Sequence, residues 1–562
     1  MNVDWRNRGG RNYVTSIRSQ GGAPNCWAFA MTALYESMIR IEHNLWTRRS
    51  EGEIARGAGK QGWGWGNTGE AHIFVERYGL ADPDCFPWSE AVSLYTAKPH
   101  GPALSATQLS PTPDRAGRKM KIRPGTYVEL TTDKQKKDWL EFVGPMAVQV
   151  TTRWDFTAVG NQIYLPNPAS PVRGDHLLLV IGFSDTDQCW IVKNSWGPTW
   201  GDGGFGRIAY AANMLEPRYF AGVRGTNPDP WAKRRQRTGA LVQGGNGGSN
   251  NNFELFTLVG GNVEHWYREN SSWQMIWNRV GTVKSSDQFD GWDTADAVDV
   301  PAVVQSSFNR NYELLYRSAQ GSLHHVFFDQ ASGWWFDGRD VGYPNLPLTG
   351  TIGIPGFIQS DRGAPGDFEV VAVTRAGTAQ HWTKHNSWPW TRLPGEWYSK
   401  QTFGRDFQFS GPSLVQSRLG VSGVPENGQG ELHYVGAARN GQLEHWKLAP
   451  GSSWTFLTSF ANGVTSGPVL IEGTYGAGDD SGVGNFELCV TVGDHIQHWW
   501  RHNRSLGPWM LGAEFGDGVA RVVALLQGTY GTNLEIIAQR TDGSYQHYWR
   551  DGGGWHAGAV IV

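Results

Sequence analysis

Two hydrophobic rhythms divide this chain. From Trp27 to Met38 apolar and polar positions follow a helical period with no Gly or Pro, directly after the breakers Gly21, Gly22 and Pro24, and this predicts a helix with Cys26 in its first turn. Leu177-Leu178-Leu179-Val180 is a continuous apolar run of the kind that forms a buried strand. Beyond Arg224 the texture changes. Gly225-Thr226-Asn227-Pro228-Asp229-Pro230 and the basic run Lys233-Arg234-Arg235-Gln236-Arg237 predict a solvated linker over residues 225–238. From residue 239 onward the pattern is short strands divided by turns, and it repeats.

The repeat is clearest in its histidine line: Glu264-His265-Trp266, His324-His325-Val326, Gln380-His381-Trp382, Glu444-His445-Trp446, Gln497-His498-Trp499 and Gln546-His547-Tyr548. Each copy opens on an apolar strand such as Ala302-Val303-Val304-Gln305. A Gly/Asn-rich turn follows, then an alternating run holding a glutamate, at Glu254, Glu313, Glu369, Glu431, Glu487 and Glu535. The histidine strand comes next, and then a Trp such as Trp273, Trp335, Trp454, Trp509 or Trp555. Four short strands per copy make one blade, and six copies predict a six-bladed β-propeller around a channel, with the longer inserts the only place for a degenerate seventh. One reading of the repeated Glu, His and Trp is structural: a buried carboxylate–imidazole pair and a core indole lock each blade. Trp277, Trp334, Trp390 and Trp500 stand outside that period and are the candidates for exposed ligand contacts. The histidines come one per blade, without the close spacing of a metal site, so no metal and no cofactor is expected.

Composition narrows the function classes. A chain of 562 residues needs more than one core, and its formal charge of −3 gives no sign of nucleic-acid binding. No apolar run is long enough for a transmembrane helix. Four cysteines, Cys26, Cys85, Cys189 and Cys489, are too few for a disulfide framework, which suits a cytosolic protein or a large secreted one. Seventeen of the 29 tryptophans follow residue 238.

The candidate chemistry lies in the first 224 residues. A free thiol, with a pKa of about 8.5, is a weak nucleophile at neutral pH until its anion is stabilised. Cys26 at a helix N-terminus meets the positive end of the macrodipole, and a protonated His176 adds a larger stabilisation and later protonates the leaving group. Asn194 orients that imidazole, and Gln20, with the Cys26 N–H, donates to a developing oxyanion.

These residues resemble the papain family of cysteine peptidases. Gln20-Gly-Gly-Ala-Pro-Asn-Cys26-Trp27, Asp175-His176 and Trp190-Ile-Val-Lys-Asn194-Ser-Trp196-Gly-Pro-Thr-Trp200-Gly201 stand in family order, and Val143-Gly-Pro-Met-Ala-Val148 is similar to the first strands of its β half. The resemblance implies an α+β papain-like fold over residues 1–224, a helical half plus a β-barrel-like half. It also implies a protein or peptide substrate cleaved through a thioester, Cys26, His176, Asn194 and Gln20 as the catalytic set, and Trp196 as the indole shielding the Asn–His bond. It places Gln149, Gly174 and Leu177 at the main specificity pocket, where Leu177 either narrows the pocket or belongs to the buried strand, and Gly66 in a substrate-binding glycine-rich wall. The family's Cys before the nucleophile is here Ala23, so its loop disulfide cannot form. Neither a signal peptide nor the family's inhibitory prosegment precedes Val3; a secreted, processed form is the favoured reading and a cytoplasmic one the alternative.

Residues 239–562, best in Asn533-Leu-Glu535-Ile-Ile-Ala-Gln-Arg540-Thr-Asp-Gly-Ser-Tyr-Gln546-His547-Tyr548, resemble bacterial lectin propellers, which bind sugars between blades. The resemblance implies a glycan or glycoprotein ligand that targets the peptidase. Two other functions fit the same residues: a multivalent lectin, toxin or adhesion protein with a silent peptidase half, and an acyl-enzyme that transfers to an amine instead of water.

Overall fold

A computed structural model describes the chain apart from residues 44, 46, 59–65, 84, 85, 87, 90, 93–108, 110–118, 157–161, 213, 214, 229–236, 245–251, 271–273, 287–290, 307–309, 331, 345, 361, 363–365, 387–395, 418, 420–429, 477–482, 504 and 529–532, and the side chains of 215–220. The described residues form two compact units, one ending at residue 228 and the other starting at residue 237.

The first unit joins helices to a sheet. Cys26–His43 (α1) is buried from Cys26 to Arg40, which makes it the unit's central helix. Glu51–Gly57 (α2), Thr68–Tyr78 (α3) and Asp133–Phe142 (α4) each start at a side-chain cap, where Ser50, Asn67 and Thr132 accept the N–H of Glu53, Glu70 and Gln135. The strands are Asn2–Asp4 (β1), Lys121–Ile122 (β2), Tyr127–Glu129 (β3), Met146–Arg153 (β4), Ile163–Tyr164 (β5), Val172–Ser184 (β6), Cys189–Lys193 (β7), Phe205–Ala209 (β8), Leu215–Val223 (β9) and Thr226–Asn227 (β10). The main sheet runs β3-β9-β4-β6-β7-β8-β5, and β1 adds to β6. The long apolar run of β6, buried from His176 to Ser184, packs against α1. At Gly182 a Cβ would sit 2.0 Å from the Val3 carbonyl oxygen, so only glycine lets β1 approach.

In the second unit Arg237–Gly239 (β11) precedes six antiparallel sheets over residues 241–282, 302–337, 351–403, 407–460, 469–515 and 519–560, here blades I to VI. Their first strands neighbour one another in a closed cycle, I through VI and back to I, which is a six-bladed propeller. The ring also closes through side chains, since the Tyr545 hydroxyl of blade VI donates to the Leu258 carbonyl of blade I at 3.3 Å. The channel expected at the centre is not empty. β11 pairs with the first strand of blade VI on the edge away from the rest of that blade and packs against the first strands of blades I, II, III and V. Arg237, read from sequence as solvated linker, is 4% exposed; its Nη2 donates to the Gln305 carbonyl at 3.0 Å, and the Thr238 hydroxyl donates to Pro412 O. The segment expected as a linker is thus strand at both ends, with Thr226–Asn227 paired to Lys121–Ile122 in the first unit.

In five of the six blades the repeated Glu and His pair with each other within the blade. Nε2 of His265, His325, His381, His498 and His547 lies 2.6 to 2.9 Å from Glu254, Glu313, Glu369, Glu487 and Glu535. Blade IV corrects the sequence reading. The residue paired with His445 is Val435, and the glutamate position two residues before it is occupied by His433, not Glu431. Trp509 Nε1 donates to His445 Nδ1 (3.2 Å), so His445 Nε2–H donates to His433 Nδ1 (3.0 Å), and His433 Nε2 is 3.4 Å from Glu431. Burial pushes both imidazoles below the ordinary histidine range.

The next blade's indole covers each of five histidines, and one of those indoles is Trp277, 6.2 Å from His547. The others are Trp397 over His325, Trp454 over His381, Trp509 over His445 and Trp555 over His498. Trp277 is therefore periodic, half-buried with its N–H inside, and not an exposed platform. Trp273 lies outside the described residues.

Candidate active site

α1 begins at Cys26, so the thiol sits over N–H groups that have no intrahelical partner. The N–H groups of Leu177, Trp27 and Cys26 point to Sγ and favour its anion, while burial and the carboxylate of Asp175 push the thiol pKa up. His176 comes from β6 and is 4% exposed. Its Nε2 donates to Asn194 Oδ1 at 2.7 Å, which leaves Nδ1 as the other proton-carrying atom of the ring. Asn194, directly after β7, is itself fixed because its Oδ1 also accepts the Ser195 N–H at 2.8 Å and its own N–H donates to Gly204 O at 3.0 Å. The indole of Trp196 lies 4.7 Å from the His176 ring at 35°. Burial first, and then the charge of Arg173, lowers the His176 pKa to about 4, against the hydrogen bond to Asn194, which raises it.

Gln20 is held at both ends of its amide. The Ser195 hydroxyl donates to Oε1 at 2.6 Å and Nε2 donates to Ala23 O at 2.7 Å. An amide nitrogen carries two hydrogens, so one remains to donate elsewhere. Ser195 was not singled out from sequence, although it sits inside the asparagine motif.

A buried ionic cluster also escaped the sequence reading, because its members are scattered along the chain. Arg18 Nη1 bridges Glu36 Oε1 (2.9 Å) and Glu51 Oε1 (2.6 Å), Thr15 Oγ1 donates to Glu36 Oε2 (2.7 Å), and Lys193 Nζ donates to Thr15 O (2.8 Å). Against the upward push of burial, Arg18 and Lys193 hold the Glu36 carboxyl below its usual range. The cluster ties the segment before Gln20 to α1, to α2 and to the residue before Asn194.

The residues expected to line substrate are distributed unequally. Leu177 is buried, lining with Phe29, Ala30 and Ala33 of α1 a cavity of about 20 Å³, so it belongs to the α1–β6 core. Gln149 is half-buried and pairs opposite Leu177. Gly174 has φ +140° with open space where a Cβ would stand. Gly66 packs on the Trp27 indole, where a Cβ would lie 2.5 Å from the ring. Of the glycine-rich wall expected over residues 62–69, residues 62–65 fall outside the described residues, as do Cys85 and Trp390, and Asn67 to Gly69 cap and open α3. Cys26, Cys189 and Cys489 are buried free thiols. Among the described residues no group of three metal-ligating side chains converges, and no helix is long and apolar enough to cross a membrane.

On the propeller, Trp334 is 49% exposed and Trp500 is half-buried. A groove of about 450 Å³ lies between blades V and VI, lined by Phe515, Asp517, Arg540, Gln546, Tyr548 and Trp555 among others. Opposite Tyr548 stands Ala557, whereas the same position holds Phe456 opposite Trp446 in blade IV and Leu511 opposite Trp499 in blade V.

A thiol at the start of a buried helix and an imidazole fixed by an asparagine on the adjoining sheet define the class of papain-like thiol peptidase domains. Residues 1–219 match the model of the papain family cysteine protease, and they form the papain-like cysteine peptidase domain of this chain. A cathepsin L-like proteinase of Fasciola hepatica is 30% identical over 217 residues, which is 37% of this chain and 59% of that protein. Cathepsin L2 of Homo sapiens is 28% identical over 222 residues, 38% of this chain and 61% of that protein. Ananain of Ananas comosus is 28% identical over 213 residues, 37% of this chain and 55% of that protein. The chain therefore spans little more than half the length of these curated relatives.

Proposed function

We propose that the chain is a cysteine peptidase that hydrolyses peptide bonds through a thioester acyl-enzyme. The observation that carries this reading is the 2.7 Å bond from His176 Nε2 to Asn194, in a ring shielded by Trp196, with the neighbouring Leu177 N–H aimed at Cys26 Sγ. In this reading Cys26 attacks the scissile carbonyl and His176 delivers a proton to the departing amine. The second Gln20 N–H and the Cys26 N–H hold the oxyanion. Water then releases the acid. The test is product mass: digestion of a denatured protein in H₂18O should place one 18O in each new carboxyl terminus, and Cys26→Ala should abolish it. Products joined to an added amine, with no labelled acid, would favour acyl transfer.

The pH dependence follows from His176. The active form of the pair carries one proton, and a second is taken up only as pH falls through the His176 value of about 4. Because that value is depressed, kcat/KM is expected to hold down to about pH 4 and to fall below it. A pH profile measured with a neutral peptide checks this.

The propeller's groove supports a second part of the reading, binding of a saccharide between blades V and VI. Arg540 Nη1 and the Tyr548 hydroxyl donate to Gln546 Oε1 at 2.7 and 3.2 Å, and the exposed Asp517 carboxylate stands beside them. Alternating donors and acceptors at an aromatic edge suit sugar hydroxyls. Binding to a glycan array is expected to fall about tenfold in Arg540→Ala and in Ala557→Leu, which fills the groove. Unchanged binding in both variants would place the ligand elsewhere or remove it.

A further inference from the structure

Arg173 stands at the start of β6, three residues before His176, and is exposed. Its guanidinium carbon lies 4.6 Å from the Trp196 ring centroid and 5.1 Å from that of Trp154, both within cation–π range. Trp196 also packs against His176, at 4.7 Å, and its ring edges meet Phe156 and Trp200 at 5.8 and 6.0 Å. The order in space is therefore His176, Trp196, Arg173, Trp154. Arg173 forms no ion pair among the described residues. Asp175, the nearest acid along the strand, instead accepts the Thr151 hydroxyl at 3.1 Å. Trp154 is 60% exposed, and among the described residues its ring has no aromatic or cationic neighbour besides Arg173.

The direction of the chemistry says what passes over this surface. His176 protonates the amine that leaves, so the departing half of the substrate runs past the imidazole on the side away from the thiol. The first groups it meets are Trp196 and then Arg173. A guanidinium with two indole neighbours has lost part of its rotamer freedom, and it still presents N–H donors in a fork that matches a carboxylate.

We propose that Arg173, steadied by Trp154 and Trp196, is a specificity residue that selects a carboxylate on the departing half of the substrate. This rests on the peptidase reading for its direction. The carboxylate comes either from an acidic side chain shortly after the scissile bond or from the substrate's own C-terminus, and the two are separable.

The test uses the full chain and matched peptides. One pair carries Glu or Gln at the first or second residue after the cleaved bond, and the other ends there as a free acid or an amide. In the unsubstituted protein the carboxylate member of one pair is expected to have a kcat/KM about tenfold higher, the size of one charge-assisted bond. Arg173→Gln should bring that ratio to near one, and Arg173→Lys should keep part of it. A merely structural role for Arg173 would lower both members of a pair equally and leave the ratio. Arg173→Gln should also raise the His176 pKa, because a cation beside the imidazolium is removed, and shift the acid limb to higher pH. Binding of the same peptides to Cys26→Ala, with and without Arg173→Gln, gives the ratio without turnover. A carboxylate preference there that disappears with Arg173 supports the assignment even if no peptide is hydrolysed, in which case it is the peptidase reading that fails. Equal binding of acid and neutral members in both pairs overturns the assignment.

Discussion

Replacing His176 with alanine is expected to lower peptide hydrolysis by a factor on the order of 10⁴ or more, about as much as Cys26→Ala, because residues that act as one unit lose nearly everything when either is removed. Cys26 is a buried thiol. Burial and Asp175 both oppose its ionisation, and three N–H groups alone act the other way. The neighbouring positions should grade below this. Gln20→Ala removes one oxyanion donor and is expected to cost about 10²- to 10³-fold in kcat. Ser195→Ala, which only frees the Gln20 Oε1, should cost less than Gln20→Ala. Steady-state kinetics with one quenched peptide orders the four variants. A His176→Ala enzyme within tenfold of the parent would contradict the assignment of base and acid to that ring.

The largest expected effect on stability is in blade III. Glu369 is 1% exposed, and burial pushes its pKa up, but bonds from His381 Nε2 (2.8 Å) and Thr383 Oγ1 (2.6 Å) outweigh this and leave the carboxyl below its ordinary range. A carboxyl with a depressed folded pKa stabilises above its unfolded value of about 4.3 and loses that contribution as pH falls through the folded value. At neutral pH, His381→Ala should therefore cost roughly 3–5 kcal/mol, the range for an uncompensated buried charge. It should also open a gap under Trp454, whose ring packs edge-on to His381 at 5.7 Å. The double variant Glu369→Leu/His381→Leu is expected to recover most of the loss, since a buried pair replaced by apolar residues is often neutral. Thermal unfolding of the propeller followed by tryptophan fluorescence measures both. A double variant no more stable than the single one would show that the pair contributes more than mutual compensation.

Where sequence reading succeeded and where it failed has a common physical basis. The candidate catalytic residues were legible as candidates because each lies in a local motif with its own turn or helix start: Cys26 after Gly and Pro, His176 after Asp175, Asn194 before Ser195. The propeller was legible because its period is written in short strands. What escaped were relations set by register and by distant contacts. Glu431, just before the strand Leu432–Ala438, and His433 within it are two apart, so a search for a glutamate cannot tell which of them meets His445. Trp277 looked aperiodic because the hairpin between the histidine strand and the outer strand varies in length from blade to blade, although pairing with Arg268 fixes its place. Arg237 and Thr238 looked like solvated linker, because nothing local shows that backbone partners from blades II and IV await them. Arg173 is held by two indoles from different parts of the chain, Trp154 beyond β4 and Trp196 beyond β7.

The most direct test of the site is the rate at which Cys26 is alkylated as a function of pH, read by mass spectrometry with the buried Cys189 and Cys489 as internal references. A thiol that shares one proton with His176 is the same species across the neutral range. Its second-order rate constant should then be nearly flat from about pH 5 to 8, and His176→Ala should convert this to the roughly tenfold rise per pH unit of an isolated thiol. A rate for Cys26 that already climbs tenfold per unit in the unsubstituted protein, in step with the variant, would mean that the two side chains do not act as a pair.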